Sequence, residues 1–92
     1  MHRIVFDQAK RDATLIARDL AFEDAALVFA GATVDAEDVR HAYPEPRFIT
    51  VGHLSGRMVV VVWTPVDDET RRVISMRRCN AREQKIYAPY FE

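Results

Sequence analysis

Five consecutive apolar residues, Val59-Val60-Val61-Val62-Trp63, limit what this chain can fold into more than anything else in it. Turn-forming segments flank the run: Leu54-Ser55-Gly56 before it and Pro65-Val66-Asp67-Asp68-Glu69 after it. Four β-branched residues in a row favour extended backbone, and a strand apolar on both faces needs both faces covered. Arg57 to Thr64 is therefore expected to be the central strand of a sheet. Arg47 to His53 precedes it across a turn where Gly56 supplies positive φ. Arg71 to Arg78 follows it and alternates, with Val73, Ser75 and Arg77 on one face and Arg72, Ile74, Met76 and Arg78 on the other. Consecutive strands joined by tight turns make an antiparallel sheet.

The rest of the chain arranges itself around these strands. Arg3-Ile4-Val5-Phe6 reads as a short first strand, and Asp7 as the N-cap of a helix over Gln8 to Arg18. That helix has Ala9, Ala13, Ile16 and Ala17 at helical spacing. A second helix is expected from about Phe22 to Phe29, with Phe22, Ala25, Ala26 and Phe29 on one face and Gly31 at its stop. Residues 32–46 read as loop or edge strand, because Pro44 and Pro46 keep the chain out of a central ladder. Asn80-Ala81-Arg82-Glu83 is a capping box that opens a last helix, which should end near Ala88, before Pro89. The order β-α-α-β-β-β-α predicts an α+β fold. It would have two layers: an antiparallel sheet of about four strands with the helices on one face. Ninety-two residues suit one domain, 1–92.

Several function classes drop out. No apolar run approaches the ~18–20 residues that span a bilayer, so no membrane partner is expected. The segment from Met1 to Asp7 has no apolar stretch of the ~7–15 residues a secretory signal needs. Cys79 is the single cysteine, which excludes an intrachain disulfide and a zinc cluster built on cysteines. Cytoplasmic residence is the expectation. Gly-rich phosphate loops, His-Glu-x-x-His, Cys-x-x-Cys and Gly-x-Ser-x-Gly are all missing from the sequence.

The net charge of −1 conceals an uneven distribution. Residues 1–46 carry five basic and nine acidic side chains, whereas residues 47–92 carry eight basic and five acidic. Eleven of the thirteen cations are arginine, whose planar fork of donors matches phosphate. If such a domain cuts phosphodiesters, it is expected to do so on RNA, without metal or other cofactor. One group would take the 2′-OH proton, another would protonate the leaving 5′-oxygen, and cations would hold the phosphorane. His41, Glu45 and Arg47 supply these types at His-x-x-x-Glu-x-Arg spacing. Arg77 adds a cation on the third sheet strand, close to the helix start at Asn80.

Each residue also has a plainer reading. His41 can be a solvated loop histidine, and Glu45 with Arg47 a surface pair. Arg71 and Arg72 would flank a turn and pair with Asp67, Asp68 or Glu69. Glu83 is accounted for by the capping box. Trp63 fits the core better than a base-stacking platform. Tyr87, Tyr90 and Phe91 either stack on bases or dock the last helix. Cys79, near a helix start, fits best as a small core residue.

Taken in order, the motifs resemble the BrnT family of bacterial type II toxins, over nearly the whole chain. The matching blocks are Asp7-x-x-Lys10, then Phe22-Glu23-x-Ala25-x-x-Val28-Phe29. They continue with His41-x-x-x-Glu45-x-Arg47-Phe48 leading to Gly52, then Arg72-x-Ile74-Ser75-x-Arg77-Arg78, and finally Glu83-x-x-x-Tyr87. The chain departs from the pattern in its first helical hairpin. Phe6 stands for the usual Trp, Thr14 for Asn, Ala17-Arg18-Asp19 for Lys-His-Gly, and Ala21 for the Ser that caps the second helix. The resemblance implies a RelE-like fold and a metal-independent endoribonuclease that inhibits translation. It also implies a ribbon-helix-helix, BrnA-like antitoxin as partner, with DNA contacted only through that antitoxin. His41, Glu45, Arg47 and Arg77 would carry catalysis; Lys10, Arg78 and Tyr87 would bind RNA or its phosphates. The competing reading is a catalytically silent toxin-like subunit that acts only by binding a DNA-binding antitoxin.

Overall fold

The strand Arg57–Pro65, called β4, occupies the middle of the sheet, as its apolar run demands. The computed structural model describes residues 2–92; Met1, the first residue of the expected domain and of the segment tested for a signal, lies outside them. In chain order the other elements are β1 (Arg3–Val5), α1 (Gln8–Arg18), a 3₁₀ turn (Phe22–Asp24) running into α2 (Ala25–Ala30), and β2 (Val34–Glu37). They continue with β3 (Phe48–Leu54), β5 (Thr70–Arg78), α3 (Ala81–Tyr87) and a closing 3₁₀ turn (Ala88–Phe91). The sheet order is β1-β5-β4-β3-β2.

The α+β class holds, with three differences from the expected sheet. A fifth strand, β2, forms in the stretch read as loop or edge strand, and pairs antiparallel with β3. The short β1 pairs with β5 in parallel, so the sheet is mixed. The helices also divide between the faces. Leu20, Phe22, Ala25 and Val28 from the first helical hairpin pack with Val59, Val61, Trp63, Val73 and Met76. Val60 points the other way and joins Val51 and Cys79, with Tyr87 and Phe91 of the last helix and turn packed on them. The alternation Val59/Val60/Val61 thus serves two cores, which is why the run can be apolar throughout.

The alternation read along β5 is broken by a bulge. Val62 pairs with Ser75, but Trp63 pairs with Val73, so Ile74 is an extra residue. Val73 therefore turns to the same core as Met76 instead of sharing a face with Ser75 and Arg77. The β3–β4 turn is a two-residue loop with positive φ at both Ser55 (52°) and Gly56 (78°), the primed geometry that matches strand twist.

Caps explain the helix limits. Asp7 accepts the Lys10 N–H at 3.0 Å, and the Asn80–Glu83 capping box forms in both directions. The departures in the first hairpin have visible physical consequences. Asp19 occupies the position expected to be Gly and has left-handed backbone, φ 56° and ψ 40°. Ala21, in place of Ser, stands at an extended N-cap with no side-chain hydrogen bond. Ala21→Ser is expected to stabilise the fold by about 1 kcal/mol, a rise in Tm of about 4–8 °C. Asp19→Gly should add about 0.5–1 kcal/mol by relieving the left-handed residue. Thermal unfolding of the two single variants checks both.

Candidate functional site

The segment between β2 and β3 is organised by one buried carboxylate. Asp38 is 5% exposed; its Oδ1 accepts from Arg40 Nε at 2.9 Å, and its Oδ2 from Arg40 Nη2 at 2.9 Å and from the Tyr43 hydroxyl at 3.2 Å. The Arg40 guanidinium holds this carboxyl well below the usual carboxylate range. The Asp38 N–H donates to the Arg47 carbonyl at 2.7 Å, closing the base of the loop. Tyr43 then lies under the Arg47 guanidinium, 4.1 Å from ring centroid to Cζ, and the His41 ring meets Tyr43 edge-on at 5.7 Å. His41, Glu45 and Arg47 line one recess of about 340 Å³. Arg47 Nε is buried and has no hydrogen-bond partner among the described residues.

Arg77 stands elsewhere. Phe48 stacks on Trp63 at 5.0 Å on the face covered by the first hairpin, so alternation assigns Arg47 to the opposite face. Across the sheet Arg77 pairs with Val60 and Val60 with Val51, four residues beyond Arg47. Two strand spacings of about 4.8 Å and four residues at about 3.3 Å put the Cα atoms of Arg47 and Arg77 roughly 16 Å apart. The recess therefore brings together three of the four expected catalytic residues and not the fourth.

Arg77 is also occupied. Its Nη1 and Nη2 donate to the two oxygens of Glu83, each at 2.7 Å. Glu83 is pulled down to about 2, first by Arg77 and then by the Asn80 N–H of the capping box. The depressed value gives a sign. Stability from this carboxylate is complete above its ordinary value of 4.5 and is lost as pH falls towards about 2. Denaturant unfolding between pH 7 and 2.5 should show that loss, and Glu83→Gln should flatten it; the acid loss that remains belongs to Asp38 and Asp67, whose carboxyls are also held down by hydrogen bonds.

Arg72 is the residue that sequence reasoning set aside. It is exposed and makes no side-chain hydrogen bond or ion pair to another described residue, so the expected pairing with Asp67, Asp68 or Glu69 does not form. Asp67 instead accepts the Glu69 N–H at 2.9 Å, and Arg71 lies on the rings of Trp63 (3.9 Å) and Phe29 (4.5 Å). Arg72 pairs with Thr64 on β4, and continuing the Phe48–Trp63 register brings Arg47 opposite Thr64. Arg47, Thr64 and Arg72 thus form a row across one face, with Ile49, Val62 and Ser75 as the next row. α3 covers only the far part of this face, leaving an open sheet surface with Arg47 and Arg72 at one end and Arg77 at the other. The β-strand alternation that placed Arg77 could have found Arg72 too, had the bulge at Ile74 been foreseen.

The remaining candidates have other positions. Tyr87 is half-buried against the second core. Arg78 Nη1 donates to the Arg18 carbonyl at 2.6 Å, while Arg18 Nη1 donates to the Met76 carbonyl at 2.9 Å, so both arginines tie α1 to β5. Lys10 borders a shallow groove between α1 and β5. Burial pushes the Cys79 thiol up, consistent with a core role. Among the described residues no three His, Cys, Asp or Glu side chains gather as a metal site.

Comparison with known proteins agrees with this architecture. A family model described as the ribonuclease toxin BrnT of type II toxin–antitoxin systems matches residues 6–83. The crystal structure of the Brucella abortus ribonuclease toxin BrnT superposes with a TM-score of 0.62 at 23% identity, over 87% of this chain and 99% of that one. No curated protein gives a significant sequence match. At this identity the structural likeness speaks for the fold.

Proposed function

Because the chain belongs to the BrnT family of ribonuclease toxins of type II toxin–antitoxin systems, we propose that it cuts RNA at the recess formed by His41, Glu45 and Arg47, without a metal. The observation that carries this reading is the recess itself, which brings Arg47, whose buried Nε has no hydrogen-bond partner among the described residues, together with two groups able to move protons. A phosphate oxygen bound in the recess would accept from the Arg47 guanidinium. The 2′-OH attacks the adjacent phosphorus as Glu45 or His41 takes its proton. The other of the two protonates the departing 5′-oxygen, leaving a 2′,3′-cyclic phosphate and a free 5′-OH. Arg47 stabilises the charge that builds on the phosphorane. Arg72 and Arg77 hold backbone phosphates of the flanking nucleotides on the open face, and Tyr87 offers a ring to a base. Lys10 and Arg78 lie beside the β5 edge, off this path.

RNA cleavage of this kind inhibits translation in the cytoplasm, and the cognate antitoxin is a ribbon-helix-helix protein of BrnA type, through which alone the complex touches DNA. A catalytically silent subunit is not favoured, since the family is one of ribonuclease toxins. The test is incubation of the purified protein with RNA in excess chelator. Cyclic-phosphate ends and full resistance of an RNA deoxy-substituted at the cut nucleotide are expected. Cleavage that requires an added divalent ion, or that survives in His41→Asn, Glu45→Gln and Arg47→Ala alike, would overturn the proposal.

A further inference from the structure

The apolar stripe of α1 faces outward. Ala9, Ala13, Ile16 and Ala17 share one side of the helix, and all four are exposed, Ile16 at 87%. No residue of α1 is buried. Helix hydrophobicity ordinarily marks the side that packs on a core, yet here the first core takes Leu20, Phe22, Ala25 and Val28 instead. The stripe adjoins a second unpartnered feature. β1 pairs with β5 at Thr70, Arg71 and Arg72, so among the described residues no strand lies on that side of β5 from Val73 onward. Between the two runs a groove of about 340 Å³, whose lining includes Ala13, Ala17 and Ile74, with Lys10 and Arg18 at its border.

We propose that α1 and the adjoining edge of β5 are the surface that docks the antitoxin, through an amphipathic segment rich in acidic residues. This rests on the toxin–antitoxin reading, which requires a protein partner. The apolar side of the segment covers Ala13, Ile16, Ala17 and Ile74, and its carboxylates meet Lys10 and Arg18. The small alanine side chains let a partner backbone approach α1 closely. An exposed apolar stripe bordered by two cations on the side towards β5 fits a protein segment of that kind. It does not fit a polynucleotide, whose backbone would leave Ile16 uncovered, and the arginine row that suits phosphate lies on the open face of the sheet.

Titration calorimetry of the full chain with the purified product of the reading frame beside its gene tests the docking. Ile16→Asp and Ala17→Glu are expected to weaken the complex on the order of 30-fold or more, the loss typical of a central interface residue. Val66→Asp, an equally drastic change at an exposed apolar residue in the β4–β5 turn, should leave affinity unchanged. All three variants should keep the wild-type melting temperature within a few degrees and cleave RNA at the wild-type rate. Unchanged affinity in both α1 variants would overturn the proposal. So would lost RNA cleavage with intact binding, which would make α1 an RNA surface, or no binding by the wild type. If the wild type cuts no RNA but binds its partner through Ile16, the nuclease reading fails and this one stands.

Discussion

Arg47→Ala is expected to slow RNA cleavage by about 10²–10³-fold while the protein stays folded, the usual cost of removing one preorganised donor from a site where charge develops. Three observations make Arg47 the position where a substitution should hurt most. Its Nε is buried with no hydrogen-bond partner among the described residues, its guanidinium lies 4.1 Å over the Tyr43 ring, and it shares its recess with His41 and Glu45. The loss of the contact with Tyr43 should cost stability only about 0.5–1 kcal/mol. Arg47→Lys should recover little, because an ammonium lacks the planar fork of donors that stacks on a ring and binds phosphate bidentately. Arg77→Ala should slow cleavage less. It stands roughly 16 Å away by strand geometry and already spends two donors on Glu83. Single-turnover rates on one RNA decide the order. A larger loss at Arg77 than at Arg47 would move the reaction centre to the C-terminal end of β5.

How much of this was legible in the sequence depends on what each residue answers to. β4 was legible because a five-residue apolar run has few alternatives, and the last helix because its capping box is a local device that forms within four residues. The bulge at Ile74 was not, since nothing in Arg72-Val73-Ile74-Ser75 distinguishes four alternating residues from three plus an insertion. Only the pairing with Val62 and Trp63 decides it. Arg71 and Arg72 show the same limit. Acids two to five residues away looked like partners, but the turn uses Asp67 on its own backbone, and β5 sends Arg71 to the aromatic core side and Arg72 to the open face. The recess was half legible. The His-x-x-x-Glu-x-Arg spacing pointed to the right loop, whereas the buried Asp38, which holds Tyr43 and through it Arg47, gave no signal beyond one acid among nine in the first 46 residues. The separation of Arg77 from that loop is a matter of strand order and register, which no local motif encodes.

Trp63→Ala is expected to destabilise the protein by about 3–5 kcal/mol, enough to leave a domain of this size largely unfolded near body temperature. The ring is 7% exposed and lies at a crossing of contacts. It stacks on Phe48 at 5.0 Å, meets the edge of Phe29 at 5.6 Å and carries the Arg71 guanidinium at 3.9 Å. Its Nε1 donates to the Thr50 hydroxyl at 2.8 Å, and that hydroxyl in turn donates to Asp35 of β2. The indole thus joins the central strand to the outermost strand through one polar relay inside an otherwise apolar layer. Trp63→Phe separates the two contributions. It keeps the stack but deprives the Thr50 oxygen of its donor, so a loss of about 1–3 kcal/mol is expected. Trp63 is the only tryptophan in the chain, so its fluorescence reports on this core alone. Saturating RNA should leave the wild-type emission nearly unchanged, because no base reaches a ring packed between Phe48, Phe29 and Arg71. Strong quenching by RNA, or a folded Trp63→Ala variant that has lost only RNA affinity, would make Trp63 a stacking platform and place the RNA on the helix-covered face instead of the open one. Denaturant unfolding followed by circular dichroism, alongside the RNA titration, decides between the two.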